Sequence, residues 1–153
     1  MWKSDGTSSG TVMVKDINSG SSSSSPYSLT VVGNTLYFRA SDGTNGTELW
    51  KSDGTASGTV MVKDIYNGSS SSIPLSLTAV GNTLYFTADD GTNGSELWKS
   101  DGSALGTVMV KDISPGSDPS DILYLTPVGN TIYFVSLTVG FPSAKGNLWV
   151  YLL

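Results

Sequence analysis

The side chains best suited to chemistry are two sets of hard oxygen ligands. Asp42, Asn45 and Glu48 lie in one loop, and Asp90, Asn93 and Glu96 recur 48 residues later. Carboxylate and amide oxygens at such close intervals are what a calcium ion prefers. The spacing matches neither the helix-loop-helix calcium loop nor the nonapeptide Gly-Gly-x-Gly-x-Asp pattern. The competing reading is structural: Asp and Asn accept backbone hydrogen bonds in turns while the intervening Gly takes positive φ. Calcium is therefore the one cofactor the sequence raises, and the turn reading stands against it.

Two further sets have periodic spacing. Asp16, Asp64 and Asp112 each follow a Lys at the end of an identical segment, Thr-Val-Met-Val-Lys-Asp-Ile. If that segment is the inner strand of a blade, the three Asp form a ring around a central channel, able to hold a cation or water. The aromatics Tyr37, Tyr85, Tyr133, Trp50, Trp98 and Trp149 form the other set. They either pack between repeat units or stand exposed, where stacking on the apolar face of a sugar is the chemistry they offer.

Enzymatic chemistry finds little support. The chain has no His and no Cys, which removes a Ser-His-Asp triad, imidazole and thiolate metal sites, cysteine nucleophiles and disulfides. Paired carboxylates of the glycosidase kind remain, but every Asp and Glu except Asp118 and Asp121 belongs to a repeated turn or strand. The Gly-Ser tracts lack the Lys-Ser/Thr ending and the helix of a phosphate-binding loop. The expectation is a protein without an active site.

Composition limits partners. Eight basic and thirteen acidic residues leave a net charge of −5, the wrong sign for nucleic acid or an anionic membrane. No apolar run reaches the ~18 residues that a spanning helix needs. The segment Met1-Trp2-Lys3-Ser4-Asp5-Gly6 lacks the apolar core of a signal peptide. At 153 residues and 38% hydrophobic content the chain can build a real core. Only 14% of its residues are charged, and Gly, Ser and Thr take their place, as in chains of short strands and tight turns.

These elements come as repeats. Trp2, Trp50 and Trp98 are 48 residues apart, and Trp149 follows after 51. Residues 2–49 and 50–97 share 39 of 48 positions. The identity runs through the loops, so it reflects recent duplication more than constraint at each site. Units of about 2–49, 50–97 and 98–153 thus make one repeat domain spanning 1–153. Within a unit four strands are expected: Thr59 to Ile65, Ser76 to Val80, Thr83 to Ala88, and Ser95 to Ser100. They are rich in β-branched residues, and Gly81-Asn82 serves as a two-residue hairpin turn. No stretch carries a helical period. The third unit departs from the others after Phe134, with a different loop over Val139 to Asn147 and an apolar end from Leu148 to Leu153.

Four antiparallel strands per 40–50 residues is the pattern of a propeller blade. Glu48-Leu49-Trp50-Lys51-Ser52-Asp53-Gly54-Thr55 and Glu96-Leu97-Trp98-Lys99-Ser100-Asp101-Gly102 resemble the bacterial ELWxxDGT repeat family, although Ser103 stands where that motif has Thr. The resemblance implies long surface-associated or secreted repeat arrays, hence an extracellular or cell-surface location, and no defined activity.

Three blades are too few for a closed ring. The expected architecture is all-β: three four-stranded antiparallel units forming half of a six-bladed propeller, closed by homodimerisation. A β-trefoil, also three units of four strands, is the alternative. The expected function is a non-enzymatic structural or binding scaffold whose first partner is a second copy of itself. A carbohydrate-binding, lectin-like module with a glycan or surface protein as partner is the alternative, and a calcium-stabilised adhesion protein a further one.

Overall fold

The computed structural model describes residues 1–137 and the backbone of a final strand at 147–151. The divergent loop expected from Val139 onward, and the last two residues of the apolar C-terminal run, lie outside the described residues. The described residues contain thirteen strands and no helix. An N-terminal hairpin joins β1 (Trp2–Lys3) to β2 (Val12–Met13). A first full sheet follows, of β3 (Tyr27–Val32), β4 (Thr35–Ser41), β5 (Thr47–Ser52) and β6 (Val60–Lys63). A second comprises β7 (Leu75–Val80), β8 (Thr83–Asp89), β9 (Ser95–Ser100) and β10 (Val108–Lys111). The C-terminal sheet holds β11 (Ile122–Val128), β12 (Thr131–Ser136) and β13 (Asn147–Tyr151). Every sheet is an antiparallel meander in chain order.

The strands fall where β-branched and aromatic residues alternate, but the sheets are out of phase with the repeat as counted from Trp to Trp. The segment Thr-Val-Met-Val-Lys, expected to open a unit, closes the sheet before it: β6 pairs with β5, with Trp50 opposite Met61. The reason is the connections. Strands of one sheet are joined by turns as short as Gly81-Asn82, whereas the Gly-Ser tract after β6 is long enough to carry the chain to the next sheet. In the Gly81-Asn82 turn only Gly81 has positive φ, +56°. This is the pattern in which Gly must hold the first central position.

Consecutive sheets approach most closely along β3, β7 and β11. The second full sheet is packed on both faces, its alternating side chains entering two separate clusters. Leu84, Phe86 and Ala88 of β8, with Trp98, meet Val32, Tyr37, Leu49 and Val62 of the first full sheet. Tyr85 and Leu97 point the other way and meet Ile122, Ile132 and Phe134. Phe38, Ala40 and Trp50 pack against Met1 and Ile17 of the N-terminal segment. The core is thus a series of layers between sheets. Removing a ring such as Phe86 from water is worth roughly 1.5–3 kcal/mol.

β3, β7 and β11 each open irregularly. Ile73 and Ser76 have φ of +46° and +54°, as do their repeat equivalents Ser25 and Ser28, and Asp121 and Tyr124, within a few degrees. Register against β8 shifts between Leu75 and Thr78, a bulge that bends the strand.

Candidate functional site

The Asp-Gly-Thr-Asn loops are closed on themselves. Asp42 Oδ1 accepts the backbone N–H groups of Thr44 and Asn45, both at 2.8 Å, and Oδ2 accepts Asn45 Nδ2 at 2.7 Å. Asp90 and Asn93 repeat the arrangement. Burial opposes ionisation of Asp42 and Asp90, but these hydrogen bonds outweigh it and hold both carboxyls below their ordinary value. Glu48 and Glu96 do not join them. They are fully buried on β5 and β9, with their oxygens directed to another part of the chain. The donor set expected for calcium is therefore divided and already engaged. No group of three or more acidic residues is placed to hold a metal among the described residues.

Glu48 instead ties one sheet to the approach of the next. Its Oε2 accepts the N–H of Ile65 at 3.0 Å and the hydroxyl of Ser72 at 2.5 Å, while Oε1 accepts the N–H of Ser72 at 2.9 Å. Ser72 in turn offers its carbonyl to the N–H of Asp89, at the end of β8. Glu96 repeats the contact with Ile113, Ser114 and the Ser120 hydroxyl, and Ser120 accepts from Ser136. Burial, chiefly, pushes both Glu carboxyls up. The hydrogen bonds pull the other way, and the neighbouring charges of Asp64 and Asp112 add to the rise.

Asp64 and Asp112 therefore lie beside these latches. Each follows an outer strand, on the opposite edge of its sheet from β3, β7 and β11. The expected ring of Asp16, Asp64 and Asp112 presupposed that this segment opens each blade, whereas β6 and β10 lie on the edge away from where consecutive sheets approach. Asp64 Oδ2 accepts the N–H of Gly68 at 3.1 Å. Among the described residues, Oδ1 of Asp64 and of Asp112 have no hydrogen-bond partner although buried, and neither do the indole N–H groups of Trp50 and Trp98.

The lysines also cross between sheets. Lys51 Nζ donates to the Gly102 carbonyl at 2.8 Å and Lys63 Nζ to that of Thr107 at 2.9 Å. Lys3 and Lys15 make the same two contacts to Gly54 and Thr59, at 2.8 and 2.7 Å. Lys63 also sits 5.7 Å from the centre of the Trp98 ring, within cation–π range. Gly102 approaches so closely that a Cβ there would lie 2.3 Å from Tyr37 Oη.

Tyr37, Tyr85, Trp50 and Trp98 are all buried, Tyr on one face of the sheet and Trp on the other, so both aromatic sets pack between sheets. Tyr133 is half-buried, and Trp149 falls on β13, whose side chains lie outside the described residues. Tyr133 lines a shallow apolar groove of about 320 Å³ with Tyr124, Thr126 and Val128 on the C-terminal sheet.

Two participants escaped the sequence reading, Ser72 and Ser120. Both recur at the 48-residue spacing, but low-complexity serine tracts hide them. No family model, no curated protein and no solved structure matches this chain.

Proposed function

We propose that the chain is a non-enzymatic structural or binding scaffold, an arc of propeller-like blades completed into a ring by a second copy of itself. The observation that carries this reading is a pair of complementary faces used repeatedly inside the chain and left open at its ends. Val32 and Tyr37 cover the next sheet, and Val80 and Tyr85 do the same one repeat later. Their equivalent Val128 is 58% exposed. At the other end Leu29 and Val31 are about as exposed, although their equivalents Leu77 and Ala79 are packed. Consecutive meanders meeting face to face favour blades over a trefoil. The likeness to ELWxxDGT arrays agrees with a scaffold role at a cell surface or outside the cell.

Light scattering after size exclusion, across a dilution series, tests this. The expected mass is twice the 16.0 kDa of the chain, and a well-folded monomer at all concentrations would overturn it.

Exposed Tyr124 beside the groove favours one other reading, carbohydrate binding. Sugar recognition needs polar partners beside the aromatic ring, and this groove is apolar, so protein packing suits it better. A saturable change in tryptophan emission on a glycan panel would reverse that order. The same apolar character, with no paired carboxylates in the groove, speaks against a glycosidase.

A further inference from the structure

The first sheet has two strands and the last has three, against four in each full sheet. β1 and β2 are the repeat equivalents of β5 and β6, with Trp2 opposite Met13 as Trp50 is opposite Met61. In the full sheets, β5 and β9 also pair on their inner edge with β4 and β8. That edge of β1 carries no strand among the described residues. At the other end β11 and β12 are the equivalents of β3 and β4, β13 pairs with β12 as β5 pairs with β4, and among the described residues no strand equivalent to β6 follows.

The N-terminal hairpin is already held where the outer half of a blade belongs. Lys3 and Lys15 reach the first full sheet through the same carbonyls, one repeat earlier, that Lys51 and Lys63 use to reach the second. Among the described residues no strands pair with it as β3 and β4 pair with β5 and β6. Trp2 is 67% exposed, against 6% for Trp50 and 5% for Trp98. Leu29 and Val31 are exposed on the face of β3 whose equivalents on β7 are packed.

We infer that β11 and β12 of one copy supply such a pair of strands to β1 and β2 of the other, making a composite four-stranded sheet in the order β11-β12-β1-β2, twice per dimer. The inference rests on the two-copy reading above. The register follows from the full sheets, where Phe38 is opposite Trp50 and Tyr37 opposite Lys51. In the composite sheet Phe134 stands opposite Trp2 of the second copy, and Tyr133 opposite its Lys3. Val128 and Tyr133 then cover Leu29 and Val31, as Val32 and Tyr37 cover Leu77 and Ala79. Within one copy β13 takes the same edge of β12, with Phe134 opposite Trp149. β13 and the second copy's β1 are thus alternative occupants of one slot.

The chain has no cysteine, so a disulfide can report this pairing. A Lys3→Cys chain and a Tyr133→Cys chain are co-refolded and mildly oxidised. Directly opposed strand residues lie within the Cα separation a disulfide needs. The expected result is a disulfide-linked pair of chains in the mixture and in neither variant alone. A dimer without that disulfide means β13 keeps the slot, which overturns the composite sheet and leaves the two-copy reading standing. A monomer overturns both. A second measurement covers a misfolded Tyr133 variant. In the unmodified dimer, the emission lost on Trp2→Phe should be blue-shifted and shielded from acrylamide. A red, freely quenched component in a dimer would sink the composite sheet.

Discussion

Glu48 and Ser72, 24 residues apart, share two hydrogen bonds through one carboxylate: the backbone N–H and the hydroxyl of Ser72 both end on it. The contact joins β5 to the linker that begins the next sheet, so the order of sheets along the chain is secured by a buried acid.

Replacing that acid has a pH signature. Its folded carboxyl is raised above the ordinary value of 4.5, so the fold favours the protonated form. The contribution of Glu48 to stability is full below about pH 4.5 and is lost as pH rises through the raised value. The stability of the wild type relative to Glu48→Gln should therefore be greatest in acid and decline toward neutrality. Glu48→Ala, which also strands the N–H groups of Ile65 and Ser72, should fall below Glu48→Gln by about 1–3 kcal/mol throughout this range, since neither variant titrates. Urea unfolding between pH 4 and 7 measures both. A difference between wild type and Glu48→Gln that grows with pH would contradict the argument.

Two glycines separate backbone strain from crowding. Gly68 and Gly102 both have positive φ, +96° and +89°. A Cβ on Gly68 meets nothing within 4 Å, whereas one on Gly102 meets Tyr37. Both alanine variants lose the freedom of glycine at positive φ. Gly102→Ala should lose a further ~1–3 kcal/mol from overpacking, and equal denaturation midpoints would show that Tyr37 gives way.

Ile73 sits at φ +46°, where a β-branched side chain is crowded against its own backbone. It is exposed, so it contributes little packing to offset the strain. Asn tolerates this conformation better, and Ile73→Asn should raise stability by up to ~1 kcal/mol. A lower melting temperature would mean that the side chain packs usefully after all.

Calcium should leave the protein unmoved. A ligand bound only by the native state raises its stability, and the oxygens of Asp42 and Asp90 are engaged by their own turns. Thermal melts with excess calcium and with chelator are expected to coincide. A melting temperature that climbs with calcium concentration would reopen the question.

Much of this fold was legible in the sequence. The strand Ser95–Ser100 and the Gly81-Asn82 hairpin were found at their observed bounds, because alternation and turn chemistry are local. The phase of the sheets was not. A tandem repeat has no intrinsic starting point, and counting from Trp to Trp set the boundary inside each sheet. Linker length held the missing signal, since the Gly-Ser tract after β2 and after β6 is longer than any connection within the two full sheets. The Glu48–Ser72 latch was hidden for another reason. A glutamate beside an acidic loop reads as a ligand, and only the tertiary path of the linker shows that it turns away. The burial of both aromatic sets likewise depends on sheets stacking on both sides, which one strand's pattern does not reveal.

Because each sheet draws its last strand from the following Trp-to-Trp unit, a repeat of 48 residues supplies one whole sheet wherever its boundary is drawn. Gain or loss of one whole unit between Trp2 and Leu97 would change the number of complete sheets by one. Arrays that lengthen or shorten by recombination within near-identical stretches would therefore add or remove whole sheets, each arriving with its buried-acid latch and its lysine contacts intact.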